Sequence, residues 1–285
     1  MLGIIGGSGV YQIEGLADPE WREVDTPFGA PSDQVLTGRI GATDMAFLPR
    51  HGRGHVQTPS TVNYRANISA LKMLGCTHVV AVSAVGSLRA DYAPGDIVLV
   101  DQFIDRTFAR EKTFFGPGLV GHVSLADPVC AGLSDAIAAA AQGIDVTVHR
   151  GGTYLAMEGP QFSTRAESNL YRQWGCSVIG MTGMPEAKLA REAELCYASM
   201  AMVTDYDCWH EDHDDVDVAQ VVATMQANAA HARAIIAALP AHVPTGACPQ
   251  GCDHALDHAV MTAPAQRDPA MIARLATIAG RVLKD

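Results

Sequence analysis

Residues 198–209 read ASMAMVTDYDCW. The first six are apolar or small throughout, with no polar alternation. A strand with one wet face alternates, whereas an unbroken run of this kind is a strand covered on both faces. That predicts a sheet packed between helices. Two acids, Asp205 and Asp207, then sit just past the strand end. Carboxylates there are costly to desolvate unless water, a metal, a basic side chain or a substrate meets them.

Working outward, further short apolar runs bounded by Gly or polar residues predict strands at 2–5, 45–48, 79–82, 97–100, 153–157, 178–181 and 199–203. Helical periodicity appears at 61–74, 133–141, 164–174 and 185–194, the last with Pro185 at or near its first position, where Pro is tolerated. Over 218–239, Val218, Val221, Val222, Met225, Ala229, Ala232, Ile236 and Leu239 share one face, with Asp217 as N-cap. Strands interleaved with helices predict one α/β domain over 1–285 with a mixed sheet. A Pro-, Ala-, Gly- and His-containing break at 240–269 leads to a last helix at 269–283. We read 241–285 as a C-terminal appendage packed on a core of about residues 1–240.

The 285 residues are 48% hydrophobic and 18% charged, enough for a sizeable core. No apolar run approaches the roughly 18 residues of a membrane span, and the first residues show no secretory pattern. The formal charge of −11, with no basic cluster, argues against nucleic acid as a partner. A bound anion must therefore be held by a local site. Seven cysteines scattered in apolar contexts predict reduced thiols and a cytoplasmic protein.

Five stretches carry candidate chemistry. GGSG at 6–9 follows the first strand, where backbone N–H groups and Ser8 can face an anion; a ligand-free tight turn reads equally well, and neither a dinucleotide nor a Walker fingerprint is present. PRHGRGH at 49–55 packs Arg50, His51, Arg53 and His55 into one loop, and Arg suits bidentate phosphate binding. VSAVGS at 82–87 and GMTGMPE at 180–186 place Ser83 and Thr182 at strand ends, where open α/β sheets bind ligands. Together these hydroxyls and the Arg-His loop make an oxyanion cage. EGPQFSTRAES at 158–168 offers Phe162 for stacking on a flat ring and Glu158, Arg165 and Glu167 for an ion-pair network.

GGSGVY, DTPFGAPSD, FLPRHGRGH, GDIVLVDQFIDRT, EGPQFSTRAES, MTGMPEAKLAREAELCYA and TDYDCW occur in one order across residues 2–240. The chain resembles the trimeric purine nucleoside phosphorylases and, within them, the S-methyl-5′-thioadenosine phosphorylases. The resemblance implies a single α/β domain on a twisted mixed sheet and barrel flanked by helices. It implies reversible phosphorolysis of methylthioadenosine to adenine and 5-methylthioribose 1-phosphate, in methionine and purine salvage, with 5′-deoxyadenosine as a second substrate. Inorganic phosphate is the implied co-substrate, with no metal and no organic cofactor. By resemblance, Ser8, Arg50, His51, Ser83, Ala84 and Thr182 hold phosphate. Met181 lies against the ribose, Phe162 stacks on the purine, and Thr204, Asp205 and Asp207 face the base. His55, Val218, Val221 and Val222 line a methylthio pocket, and His122 is lent by a neighbouring subunit of a homotrimer or a dimer of trimers.

The residues add a physical reading. Cleaving the N-glycosidic bond leaves negative charge on the base, so N7 needs a hydrogen-bond donor, which a carboxylate supplies when protonated or through a shared proton or water. Burial beside a second acid raises a carboxyl pKa. Acceptor carboxylates suit a 6-amino purine, whereas a 6-oxo purine calls for a donor; a methylthioinosine or inosine/guanosine phosphorylase is the alternative. Gly180 stands where adenine-specific members usually carry Asn, which would loosen the backbone near Met181. In the appendage, Cys248, Cys252, His254 and His258 do not follow a standard zinc spacing, and we read them as no metal site. HEDHDDVD at 210–217 reads as a solvated acidic loop before a helix.

Overall fold

The first strand enters the core at the second residue. The computed structural model describes residues 1–7, 9–10, 13–210 and 218–283. The strands are β1 (Leu2–Gly6), β2 (Ala17–Arg22), β3 (Val35–Ile40), β4 (Thr43–Pro49), β5 (His78–Ser87), β6 (Ile97–Val100), β7 (Gln102–Asp105), β8 (Val148–Arg150), β9 (Thr153–Ala156), β10 (Val178–Gly180) and β11 (Cys196–Asp205). The helices are α1 (Tyr64–Met73), α2 (Ala131–Ala140), α3 (Arg165–Gln173), α4 (Gly183–Glu192), α5 (Val218–Ala238), α6 (Pro269–Arg274) and α7 (Ala276–Leu283).

The strands form one mixed sheet in the order β2-β3-β4-β1-β5-β10-β9-β7, with β11 on β5, β6 on β11 and β8 on β6. The decisive strand is β5. One of its edges pairs with β11 in parallel along nearly its whole length. The other edge is shared: β1 pairs with His78–Ala81 in parallel, and β10 with Gly86 and Ser87 antiparallel. Residues 82–85 lie between these two partners, and the sheet parts there. The loops leaving β1, β4 and β10 converge on that parting.

Both faces are covered, as the unbroken apolar runs require. Ile5, Leu48, Val79 and Ala81 pack with Ile68 and Leu71 of α1, Leu189 of α4 and Ile278 of α7. Leu2, Ile4, Val80, Val82, Met200 and Met202 pack with Leu133 and Ile137 of α2 and Ala232 and Ile236 of α5.

All seven expected strands and all the expected helices are present, with two differences. The last helix is broken at Leu275 into α6 and α7. The α4 segment begins two residues before Pro185, with Met184 non-helical (φ −119°, ψ 135°). Strands β2, β3, β7 and β8 were not expected. β2, ADPEWR, is exposed along most of its length and carries Pro19; an edge strand of this kind has no apolar signature. The appendage buries Leu256, Ala259, Leu275 and Leu283 against the α1/α4 side of the core. Among the described residues no helix is long and apolar enough to cross a membrane.

Candidate active site

The parting along β5 opens into a cavity of about 460 Å³. Val82, Ser83, Ala84, Val85 and Gly86 form its floor; Gly7, Arg50, His51, Met181, Thr182, Thr204, Asp205 and Asp207 surround it. His55, Phe162, Val222 and Met225 stand around the rest of its wall.

One part of the lining is built for an anion. Ser83 Oγ is buried and has no hydrogen-bond partner among the described residues. Thr182 is the N-cap residue of α4, yet its hydroxyl caps nothing. The Arg50 guanidinium differs from the sequence expectation of a bidentate phosphate clamp. Its fork is taken by Glu186, with Nε–Oε1 at 2.5 Å and Nη2–Oε2 at 3.1 Å, both side chains almost fully buried. Nη1 donates to Val82 O at 2.8 Å and Nη2 to Ile5 O at 3.4 Å. Of five N–H donors, one on Nη1 remains. The pair also ties β1, β5 and α4 together beneath the cavity.

His51 differs too. Its Nδ1 lies 3.0 Å from Gln57 O, so the ring's N–H is spent on that carbonyl. Burial, then the charge of Arg50 and the neighbouring His55, push its pKa down to about 4. The ring is neutral at pH 7 and its Nε2 is an acceptor, not a donor to an anion. His55 stacks on it with centroids 4.4 Å apart.

The opposite part of the lining holds the two acids. A bulge in β11 between Val203 and Asp205 breaks its register with β5, and bulges re-aim side chains. Gly86 leaves the room: a Cβ there would meet Asp205 Oδ1 at 2.9 Å. Asp205 Oδ1 accepts from the Asp207 N–H at 2.8 Å. Thr204 Oγ1 is 2.7 Å from Asp205 Oδ2 and 3.2 Å from Val85 O. A hydroxyl has one proton, so both contacts are satisfied together only when Asp205 carries a proton. Burial raises the Asp205 carboxyl above its ordinary range, against those two hydrogen bonds. Burial likewise raises Asp207, with the Asp205 charge adding to it, while nearby Ser168 and Ser163 favour its ionised form. Asp207 Oδ2 is buried without a partner at bonding geometry among the described residues.

The model of the phosphorylase superfamily matches residues 1–240. An S-methyl-5′-thioadenosine phosphorylase of Cereibacter sphaeroides is 65% identical, covering 100% of this chain and 99% of its own. The crystal structure of a methylthioadenosine phosphorylase sourced from an antarctic soil metagenomic library is 45% identical, with a TM-score of 0.91 over 97% of this chain and 98% of its own. A methylthioadenosine phosphorylase from Schistosoma mansoni in complex with adenine is 41% identical, with a TM-score of 0.78 over 84% of this chain and 90% of its own. This chain belongs to the phosphorylase superfamily.

Among the phosphorylase residues singled out in the sequence, Arg50, His51, His55, Ser83, Ala84, Phe162, Met181, Thr182, Thr204, Asp205, Asp207 and Val222 line the one cavity. Ser8, Asp217 and residues 211–217 of the acidic loop lie outside the described residues. Val218 and Val221 are on α5, with side chains outside that set. His122 is exposed and does not line the cavity of its own chain; its N–H donates to Ala259 O at 2.8 Å. Phe162 is 47% exposed at the rim. Glu158 pairs with Arg110, not within the expected network: it also accepts from Ser60 Oγ and the Phe108 and Ala109 N–H groups. Glu167 forms a capping box with Thr164 at the start of α3.

Two residues of this phosphorylase site escaped the sequence reading. Glu186 looked like a helix residue, and only its fold partner reveals it. Arg110, its side chain 0% exposed, donates to the carbonyls of Met181 (2.6 Å), Met184 (2.8 Å) and Glu158 (2.7 Å). It fixes the two loops that bring Met181 and Phe162 to the cavity. No sequence signal marks it: the stretch around it, DRTFAREKT at 105–113, is mostly charged and polar.

Gly180 is not the loosened position expected. It ends β10, and a Cβ there would lie 2.1 Å from Tyr154 Oη and 2.8 Å from Tyr154 Cζ. The Tyr154 ring fills the space a side chain would need. Gly180→Ala should therefore cost about 1–3 kcal/mol through overpacking, and adding Tyr154→Phe should restore part of it. Thermal unfolding of the two variants checks this; no loss in Gly180→Ala would mean that Tyr154 moves aside freely.

Proposed function

We propose that the protein catalyses phosphorolysis of S-methyl-5′-thioadenosine, giving adenine and 5-methylthioribose 1-phosphate, and that it accepts 5′-deoxyadenosine. The observation that carries this reading is the pairing, across one cavity of about 460 Å³, of an anion-binding wall with two pKa-raised carboxyls, Asp207 buried and Asp205 half-buried. The activity named for the 65% identical relative and the adenine bound by a structural neighbour support it.

Phosphate sits among Ser83 Oγ, the Ala84 backbone, Thr182 and the remaining N–H of Arg50, with Ser8 completing the cage. His51 Nε2 accepts a hydrogen bond from the P–OH of HPO₄²⁻, which keeps its proton. A phosphate oxygen bonds to C1′ as the C1′–N9 bond breaks, and the electron pair leaves with the base. Protonated Asp205 donates at N7, so the charge developing on the purine meets a fixed donor. Over the whole turnover the proton brought by phosphate is balanced by the one on adenine, and the sugar phosphate leaves as a dianion. Asp207 accepts from the 6-amino group. Met181 lies against the ribose, Phe162 on the purine, and His55, Val218, Val221 and Val222 around the methylthio group. No metal or organic cofactor enters the reaction.

The exposed Phe162 rim and the outlying His122 fit a homotrimer, or a dimer of trimers, in which a neighbour's His122 closes the 5′ pocket. The test is base release from methylthioadenosine, methylthioinosine and adenosine, with and without phosphate. The expected result is phosphate-dependent release, fastest from methylthioadenosine. Release independent of phosphate would make the protein a hydrolase; preference for the inosine analogue would favour the 6-oxopurine reading.

A further inference from the structure

The appendage brings a second cluster together, far from the purine chemistry. The sulfurs of Cys130, Cys196, Cys248 and Cys252 all lie within 4.8 Å of one another. Cys130 and Cys248 are 3.8 Å apart. In a tetrahedral zinc tetrathiolate with bonds of about 2.3 Å, each sulfur–sulfur edge is about 3.8 Å. Three of these cysteines are buried and Cys248 is half-buried.

The four come from three separate places. Cys130 precedes α2 and donates its N–H to Tyr197 O at 2.7 Å. Cys196 opens β11. Cys248 and Cys252 are presented by one turn, CPQGC, in which Gly251 has φ +67° and donates to Cys248 O. This turn is braced: Asp253 accepts from the Cys248 N–H at 3.1 Å, and Gln250 accepts from the Ala131 N–H at 2.8 Å. The x₃ spacing of the turn falls in the C-x₂₋₄-C range of structural zinc sites. The second pair is supplied by the fold, 66 residues apart. The histidines that the sequence put beside Cys248 and Cys252 are not ligands: His254 is exposed and faces Asp253 and Asp257 at 3.9 Å, and His258 is exposed.

We propose that Cys130, Cys196, Cys248 and Cys252 bind one structural zinc ion that staples the appendage to the core. The soft, tetrahedral four-sulfur set selects zinc or iron over hard cations, and zinc is the ion committed to here. Binding exchanges four thiol protons for one Zn²⁺ and leaves a centre of charge −2. The guanidinium of Arg191 lies beside it, with Nη1 3.7 Å from Cys252 Sγ. A cleft lined by Lys72, His78, Cys196, Cys248 and Asp253 gives the ion an access path. The appendage segment held in this way pairs with 120–122: Met261 N–H donates to Val120 O at 2.9 Å and His122 N–H to Ala259 O. The ion would thus also fix the stretch that carries His122.

Protein purified under reducing conditions should contain about one zinc per chain, released by a mercurial thiol reagent. The reduced apoprotein titrated with Co²⁺ should develop the charge-transfer and d–d bands of a tetrahedral tetrathiolate, saturating at one equivalent. Cys252→Ser and Cys130→Ser should lose the metal and Cys176→Ser should keep it; metal removal from the wild type should lower the melting temperature. The wild-type cobalt titration stands even where the serine variants do not fold. Absence of both zinc and a cobalt spectrum overturns the proposal. So does a chain lighter by four hydrogens with two disulfides among these cysteines, isolated with reductant present.

Discussion

Asp205→Asn should lower kcat/KM for methylthioadenosine by about 10²- to 10⁴-fold, the range that a positioned general acid contributes. The variant keeps the shape and a hydrogen-bonding side chain but cannot pass a proton. Two observations favour the protonated form of Asp205: burial, which raises its carboxyl, and a Thr204 hydroxyl with one hydrogen within reach of two acceptors, Asp205 Oδ2 and Val85 O. The sign of the pH effect follows. A carboxyl with a raised pKa is protonated below that pKa, so wild-type kcat/KM falls as pH rises through it, and this alkaline limb is absent from Asp205→Asn. Asn also presents an N–H to a 6-oxo purine, so the ratio of methylthioinosine to methylthioadenosine turnover should rise. Steady-state rates on both nucleosides across pH give the answer; an unchanged methylthioadenosine rate would sink the role of Asp205.

Glu186→Ala should be the most destabilising single change in the molecule's centre. It leaves the Arg50 guanidinium buried without its counter-ion, a loss of about 3–5 kcal/mol. In a chain of this size that is on the order of 10 °C in melting temperature. Because buried ion pairs are replaceable by apolar pairs of similar volume, Arg50→Met with Glu186→Leu should regain most of the stability. It should not regain phosphate binding, because the last free N–H of Arg50 is gone. Melting curves and the KM for phosphate separate the two roles. A double variant that binds phosphate normally would confine Arg50 to structure.

Much of this arrangement was legible in the sequence because the motifs that build the cavity are local. PRHGRGH, VSAVGS, GMTGMPE and TDYDCW each sit at the end of an apolar run, and all four meet at the parting along β5. What could not be read are relations between distant residues. Arg50 was legible as a residue of the cavity, but not as half of an ion pair with Glu186, 136 residues away. The His51 ring was legible, but its tautomer depends on the Gln57 carbonyl. Gly180 read as a loosening because Tyr154 lies in another strand. Strand β2 carries no apolar pattern, since an edge strand in water has nothing to bury. The CPQGC turn showed only half of the four-cysteine cluster, because Cys130 and Cys196 join it through the fold.

The Arg50–Glu186 pair has a consequence for how phosphate arrives. Its charges cancel, His51 is neutral, and the rest of the cage is hydroxyls and backbone dipoles. In the proposed phosphate site, such a cage would hold a dianion at contact with little pull beyond it. The chain around it carries a formal charge of −11, which repels phosphate at a distance until salt screens it. Capture is therefore unsteered, and raised ionic strength helps phosphate reach this site, the reverse of what a cationic anion pocket would show.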